Sequence, residues 1–527
     1  VTHPEPEHAP RLVRLWGRPA TTAATVLLVY AVAFAAFAWA VLPAAGLVGV
    51  DAYYHIQQAH QMRSQGVFMG VPWLPFTVLG DAGPDHHLLW HVLLMPFARG
   101  PDLFASAQWA VVATAALVPA GLTLWLRAFR VPWAPVFALL AAAGALIMPG
   151  RLAMLRAQNV AILFLAAATW ALLRRRHAAA FIVAAAFTTA YHGAAILAPV
   201  ALLYALAVAV TERRFAWRGP AALALGAAAA LAASPWFPAN VEYLFFHAFF
   251  VHHSGNEWLT PSLPHVLKES LPAHATLALV LGLAWRTRRE TPPPPPRTRQ
   301  EHLLLLALAA LFLAMYSRTW RFAEYYVPTA ALAAGVFARR LGPRARAAAV
   351  SLAALGVLWG GGQGLRLLRD HADYLPEKWA GVGTYLRTHA RPGEVVYNRE
   401  FSDFPLLMFH APELRYVNGL DPAYLAYADP RRFAIWTQLA AFTPQTPDDP
   451  APIIAETFHT RWAVVNRNGA GLAARLARSP HARMVVHSRW GWLFALRAPA
   501  SPPAPTPPHR GATGTKKPRA PIGARGW

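Results

Sequence analysis

Apolar runs recur through the first two thirds of the chain, and clusters of arginine separate them at every second boundary. The runs cover 22–42, 103–126, 131–149, 159–173, 178–191, 194–210, 219–237, 271–285, 302–316, 326–338 and 347–362. That is about eleven segments, each read against the roughly 20 residues that a helical span needs. No other feature constrains the fold as strongly. In hydrocarbon, any backbone other than a helix or a closed barrel leaves its polar groups unpaired. Of the 527 residues, 56% are hydrophobic and only 14% are charged, against roughly a quarter charged in soluble domains. The first run is long for a signal peptide and lacks a convincing cleavage site. The chain has no cysteine, which excludes disulfides, thiolate metal sites and cysteine nucleophiles.

The arginines orient these spans. Arg11, Arg14 and Arg18 precede the first run, and Arg127 and Arg130 follow the second. Arg174 to Arg176 follow the fourth, and Arg213, Arg214 and Arg218 follow the sixth. Arg286, Arg288, Arg289, Arg297 and Arg299 follow the eighth, and Arg339, Arg340, Arg344 and Arg346 follow the tenth. All these loops fall on one face, which the excess of basic residues makes cytoplasmic. The net charge of +23 therefore reflects membrane topology, and no nucleic-acid partner is expected, since that would need the arginines gathered on a soluble face. Heavy Ala, Arg and Pro usage with little Lys fits a GC-rich bacterial genome, and hence a bacterial cytoplasmic membrane.

The expected organisation follows from this pattern. Residues 1–21 form a cytoplasmic segment and 22–363 a polytopic α-helical membrane domain, with external loops at 43–102 and 238–270. Residues 364–500 carry mixed charge and short β-branched runs (EVVYN, RWAVVN, RMVVHS, WLFAL), the pattern of a small α/β domain. An odd number of spans puts that domain outside the cytoplasm. Residues 501–527 form a Pro-rich, basic tail of the disordered type.

The external loops collect a different chemistry. GVDAYYHIQQAH (49–60) places Asp51 just beyond a span, beside Tyr54 and His55. GPDHHLLWH (83–91) offers Asp85 and His87 as D-x-H, oxygen and nitrogen donors suited to a divalent metal. If this stretch is helical, His87 and His91 share a face at i and i+4. The plain alternative is a helix N-cap at Asp85 followed by interfacial histidines. HHSGNEWLTPS (252–262) contributes Glu257, and His192 follows Tyr191 in another external loop. SRTWRFAEYY (317–326) supplies Arg318 and Arg321, whose guanidinium groups match phosphate geometry. There the alternative is an internal Arg321–Glu324 pair at i, i+3. NREFSDFPLLMF (398–409) and YVNGLDPAYL (416–425) lie in the external domain, and the second reads as a turn around Asp421.

Together these residues resemble the GT-C superfamily of polyprenyl-phosphate-dependent glycosyltransferases, and within it the catalytic subunit of oligosaccharyltransferase. In that family an acid after the first span, a second acidic or D-x-H-like motif and a loop glutamate surround a divalent metal. The resemblance implies Asp51 and Glu257 as catalytic acids, and Asp51, Asp85 and His87 as ligands of Mg or Mn. The family's second motif follows the third span, where this chain carries PGRLAMLRAQN without a carboxylate. Its acceptor-reading motif has FSDFP as the nearest counterpart, which makes Asp403 the matching acid. Arg318 and Arg321 are expected at the donor phosphate, with Tyr54, His55 and His192 in acceptor or accessory roles.

The implied reaction is metal-assisted transfer of a sugar from a polyprenyl-phosphate-linked donor to an extracytoplasmic glycan, lipid or protein acceptor. The rival is a transporter or flippase for a lipid-linked or anionic precursor. Such proteins place their charges near the membrane midplane, in repeated broken helices.

Overall fold

The structure is a computed structural model that describes residues 19–80, 83–249, 259–289, 292–370, 374–443 and 446–497. Each predicted apolar run coincides with helix. Among the described residues, five helices are long and apolar enough to cross a membrane: Ala20–Val41, Leu103–Ala128, His192–Glu212, Pro296–Tyr316 and Pro343–Asp370. A sixth span arises if the bent pair Leu263–Glu269 and Leu271–Arg289 is one span. Ala134–Ala143, Gln158–Leu173, His177–Ala190 and Arg218–Ala232 are shorter apolar helices. The chain is an integral membrane protein.

The departures from the expected spans have local causes. The third run breaks into Ala134–Ala143 and Met148–Ala153 around Gly144. A side chain there would press on Ala273 and Val327 from two other helices, so close helix packing fixes the break. The last run extends to Asp370 through a π turn at Val357–Gly361, and the sheet domain begins beyond it rather than at 364. Ala323–Ala338 is buried on nearly every side, as a largely apolar helix at the centre of a bundle should be.

The C-terminal domain holds a five-stranded mixed sheet: β1 (Val395–Asn398), β2 (Arg415–Tyr416), β3 (Trp462–Asn466), β4 (Ala482–Ser488) and β5 (Gly491–Leu496), in the order β2-β1-β3-β5-β4. β1 runs parallel to β2 and β3, whereas β5 runs antiparallel to β3 and β4. β3 is buried along its whole length, because helices cover both faces of the sheet centre. Tyr397, Trp436, Phe458 and Phe494 fill this second core.

This domain is joined to the first large loop. The Tyr416 N–H donates to the Trp73 carbonyl (2.7 Å), and the Trp73 indole donates to the Pro412 carbonyl (2.6 Å). Leu47 bridges to Tyr374, whose carbonyl also accepts from the Tyr53 hydroxyl at 2.7 Å. The first loop is therefore held between the helical bundle and the sheet, and it carries the acids and histidines.

Candidate active site

The loop after the first span folds into the helix Asp51–Gln65, which has polar residues yet is mostly buried. Its first residue, Asp51, is favoured by the helix N-terminal dipole and is ion-paired with Arg156 (Nη2–Oδ2 2.9 Å). Arg156 comes from PGRLAMLRAQN. Where the family pattern has a second acid, this chain places a guanidinium against the first one.

GPDHHLLWH forms a tight turn and a short helix, Leu88–Leu94. The Asp85 carboxylate accepts from the His87 N–H at 2.9 Å, a turn typical of aspartate. The residue at the helix N-cap is His87, not Asp85. The other Asp85 oxygen accepts from Nδ1 of His91 at 2.7 Å, and Nε2 of His91 meets Nδ1 of His55 at 2.8 Å. All three side chains are buried. Burial pushes the Asp85 carboxyl up, but the adjacent His91 and the His87 N–H outweigh it and hold the group below its usual range.

Two triads of imidazoles overlap at His87. The ligand atoms of His55, His87 and His91 lie within 4.8 Å of one another, as do those of His86, His87 and His192. Burial drives His55 and His87 well below the ordinary histidine range, and neighbouring imidazoles add to the effect. His86 is lowered to about 4, chiefly by burial. Aromatic rings fix the outer histidines: His86 stacks on Tyr243 (4.7 Å), His87 on Tyr191 (5.6 Å), and His192 contacts His247 (3.9 Å). Tyr54 packs against His55 and His91.

Basic groups approach from the other side. Arg321 donates to the Tyr191 hydroxyl at 2.8 Å, while Glu324 pairs with Arg151. The alternative Arg321–Glu324 pair of the sequence is thus replaced by two separate contacts, since Arg151 reaches Glu324 inside the bundle. Arg318 is exposed; its carbonyl accepts from the Thr260 hydroxyl (3.0 Å), and its backbone N–H donates to the Met315 carbonyl (3.1 Å). Asp403 is buried in the sheet domain under three donors: Trp379 (3.0 Å), Lys378 (2.8 Å) and Asn466 (3.1 Å). Its neighbour Phe404 packs on Tyr54. Glu257 lies outside the described residues.

A cavity of about 840 Å³ runs from this cluster between the helices His177–Ala190, Leu197–Glu212 and Arg218–Ala232. Its walls are almost wholly apolar, with Ala185, Ala201, Leu223 and Ala227 among them, and Asp85, His86 and His192 line its polar end. Sequence reasoning missed Tyr243 and His247, although VEYLFFHAFF places them at i and i+4 on one helical face. It also missed that Arg156 pairs with Asp51, which no local pattern signals.

No protein-family model matches the chain, and no curated protein matches its sequence. Solved structures do match. ArnT from Cupriavidus metallidurans bound to undecaprenyl phosphate aligns with a TM-score of 0.58 at 16% identity, covering 90% of this chain and 98% of that one. The Archaeoglobus fulgidus oligosaccharyltransferase in complex with Zn and sulfate aligns at 0.54 and 13% identity, covering 90% and 74%. The arabinofuranosyltransferase AftD from Mycobacteria aligns at 0.56 and 15% identity, covering 90% of this chain but 40% of its own. These are GT-C glycosyltransferases, and this chain has the GT-C fold.

Proposed function

We propose that the chain is a GT-C glycosyltransferase that moves a sugar from a polyprenyl-phosphate-linked donor to an acceptor on the histidine-bearing face. The observation that carries this reading is the apolar groove ending on Asp85, His86 and His192. An isoprenoid tail gains roughly 25 cal/mol per Å² of apolar surface buried, so the groove holds the tail while the phosphate rests among polar groups. The solved ArnT structure contains undecaprenyl phosphate, which supports a lipid donor of that class. The arginine-rich loops support an orientation with this face outside the cytoplasm of a bacterial membrane.

In the proposed reaction, an acceptor O–H or N–H attacks the anomeric carbon, and a new bond forms there. The bond from that carbon to the phosphate oxygen breaks, and the electron pair leaves with the phosphate. Asp51 takes the acceptor proton, with Arg156 holding its carboxylate in place. Arg321, fixed by Tyr191, stabilises the charge that develops on the leaving phosphate, and Arg318 at the same helix end assists. Glu257 is proposed to position the acceptor. Buried Asp403 is proposed to act indirectly, by holding Phe404 against Tyr54.

The residues present also fit a divalent ion. His55, His87 and His91 offer nitrogen donors in one place. His91 gives its other nitrogen to Asp85, the arrangement that orients metal-binding imidazoles. Such a set favours Mn or Zn over Mg. A bound ion would neutralise negative charge on the leaving phosphate.

The test is release of lipid phosphate by purified protein given a polyprenyl-phosphate sugar donor, with and without Mn. Metal-stimulated release in the wild type, absent in Asp51→Ala, is the expected result. No release with any donor, together with movement of the lipid across liposome membranes, would replace this reading with a flippase.

A further inference from the structure

A second polar cavity, of about 550 Å³, lies at the opposite ends of the helices that carry the site. Arg130 follows Leu103–Ala128, Arg174 follows Gln158–Leu173, Arg297 opens Pro296–Tyr316, and Arg339 and Arg340 close Ala323–Ala338. Glu324 stands at the site end of that last helix. Its 16 residues at about 1.5 Å each span roughly 24 Å. The arginine cavity therefore lies about a helix length from Glu324.

Five arginines line this cavity and only one carboxylate, Glu301. Glu301 pairs with Arg339. Among the described residues, no carboxylate lies within ion-pair distance of Arg130, Arg174, Arg297 or Arg340. Several of the guanidinium groups are nonetheless held in place. Arg174 donates to the Ala128 carbonyl (2.7 Å) and lies 4.6 Å from the Phe129 ring centroid. Arg339 donates to the Phe129 carbonyl (3.0 Å), and Arg340 to the Pro292 carbonyl (2.7 Å). Positive-inside loops need arginines on this face, but they do not need four helix ends to turn them toward one concavity. Three of the five guanidinium groups are thus held in place, and among the described residues a carboxylate pairs with only one of the five.

We propose that this cavity binds the phosphate of an anionic membrane phospholipid. Guanidinium groups match phosphate oxygens, and basic pockets between helices on this face suit acidic headgroups. The choice of a lipid over a soluble anion rests on the surroundings. Trp133, just beyond Arg130, is 51% exposed, and Leu124, one turn inside the bundle, is 54% exposed. An interfacial aromatic and apolar surface below the pocket suit an acyl chain running down the helices.

The experiment uses the full chain in detergent, with cardiolipin, phosphatidylglycerol, phosphatidylcholine and inorganic phosphate as probes. Native mass spectrometry counts bound lipid, and thermal unfolding reads the stabilisation. The wild type should retain an acidic lipid and gain melting temperature with cardiolipin, but not with phosphatidylcholine. The double variant Arg130→Gln/Arg297→Gln removes two exposed side chains that hold no carboxylate, and should weaken cardiolipin binding tenfold or more. Equal binding by the variant overturns the proposal. So does stabilisation by inorganic phosphate equal to that by lipid at the same concentration, which would make the cavity a site for a soluble anion.

Discussion

The Asp85 carboxylate stands 2.7 Å from Nδ1 of His91, and both side chains are buried. An ionised carboxylate only accepts, so Nδ1 of His91 carries a proton and its Nε2 becomes the acceptor or ligand atom. That nitrogen faces Nδ1 of His55 at 2.8 Å. One acid thus orients the ring and the nitrogen that a metal would take. Asp85→Asn keeps the shape but removes the charge, and should cost about 2 kcal/mol of stability. It should also lower lipid-phosphate release by two orders of magnitude or more. Urea unfolding and the release assay check the two effects, and full activity in the variant would remove this pair from the site.

Metal binding can be tested without turnover. Titration of Mn or Zn, followed by calorimetry or by the Mn resonance signal, should show one site in the wild type. His87→Ala and His55→Ala should each weaken it at least tenfold, because each removes one of three nitrogen donors. Mg should bind far more weakly. Tight Mg binding untouched by both variants would point to carboxylates instead.

Asp51 and Arg156 are partly exposed, at 29% and 16% of their side chains. A pair this open contributes about 1 kcal/mol or less. Asp51→Asn should therefore leave the melting temperature nearly unchanged while abolishing transfer. Arg156→Gln should leave stability similar and reduce the rate less severely. A large loss of stability in either variant would make the pair structural.

The pH dependence follows from His86, lowered to about 4 in the folded chain against about 6.5 unfolded. Between these values the unfolded chain binds the extra proton, so stability rises with pH. It is present above about pH 6.5 and is lost as pH falls toward 4. Burial holds His55 and His87 well below the ordinary range too, and they act in the same direction. His86→Phe, which keeps a ring against Tyr243, should therefore make melting temperature depend less steeply on pH across that window without abolishing the dependence. An unchanged profile would mean that another group titrates there.

Filling the groove should change donor use without harming the reacting groups. Ala185→Phe with Ala227→Phe puts two rings into the cavity lining. KM should rise for long-chain donors and stay near the wild-type value for short-chain analogues. Equal effects on both would place the lipid tail elsewhere.

Much of this molecule was legible in the sequence, and for one reason. Hydropathy reports whether a segment is buried, so each apolar run coincides with helix, though the third is broken at Gly144, and the runs RWAVVN, RMVVHS and WLFAL are strands. β2 has two residues, too few to show any alternation, and it went unseen. GPDHHLLWH stood out because buried acids and imidazoles are costly, and the structure does gather His55, His87 and His91. What periodicity cannot report is which helix ends meet. The Arg156 partner of Asp51 and the Tyr243 platform under His86 come from remote segments, and only packing of the bundle brings them in.

The groove wall is largely methyl groups, from Ala185, Ala186, Ala194, Ala198, Ala201 and Ala227 among others. Such a surface has few notches into which the side branches or double bonds of an isoprenoid could lock. If it holds the proposed lipid tail, recognition by it is closer to partitioning than to keyhole fitting: a tail would be retained in proportion to the oily surface it contributes, whatever its branching pattern. On that proposal, any discrimination beyond tail length would arise at the imidazole end, beside the headgroup and its sugar.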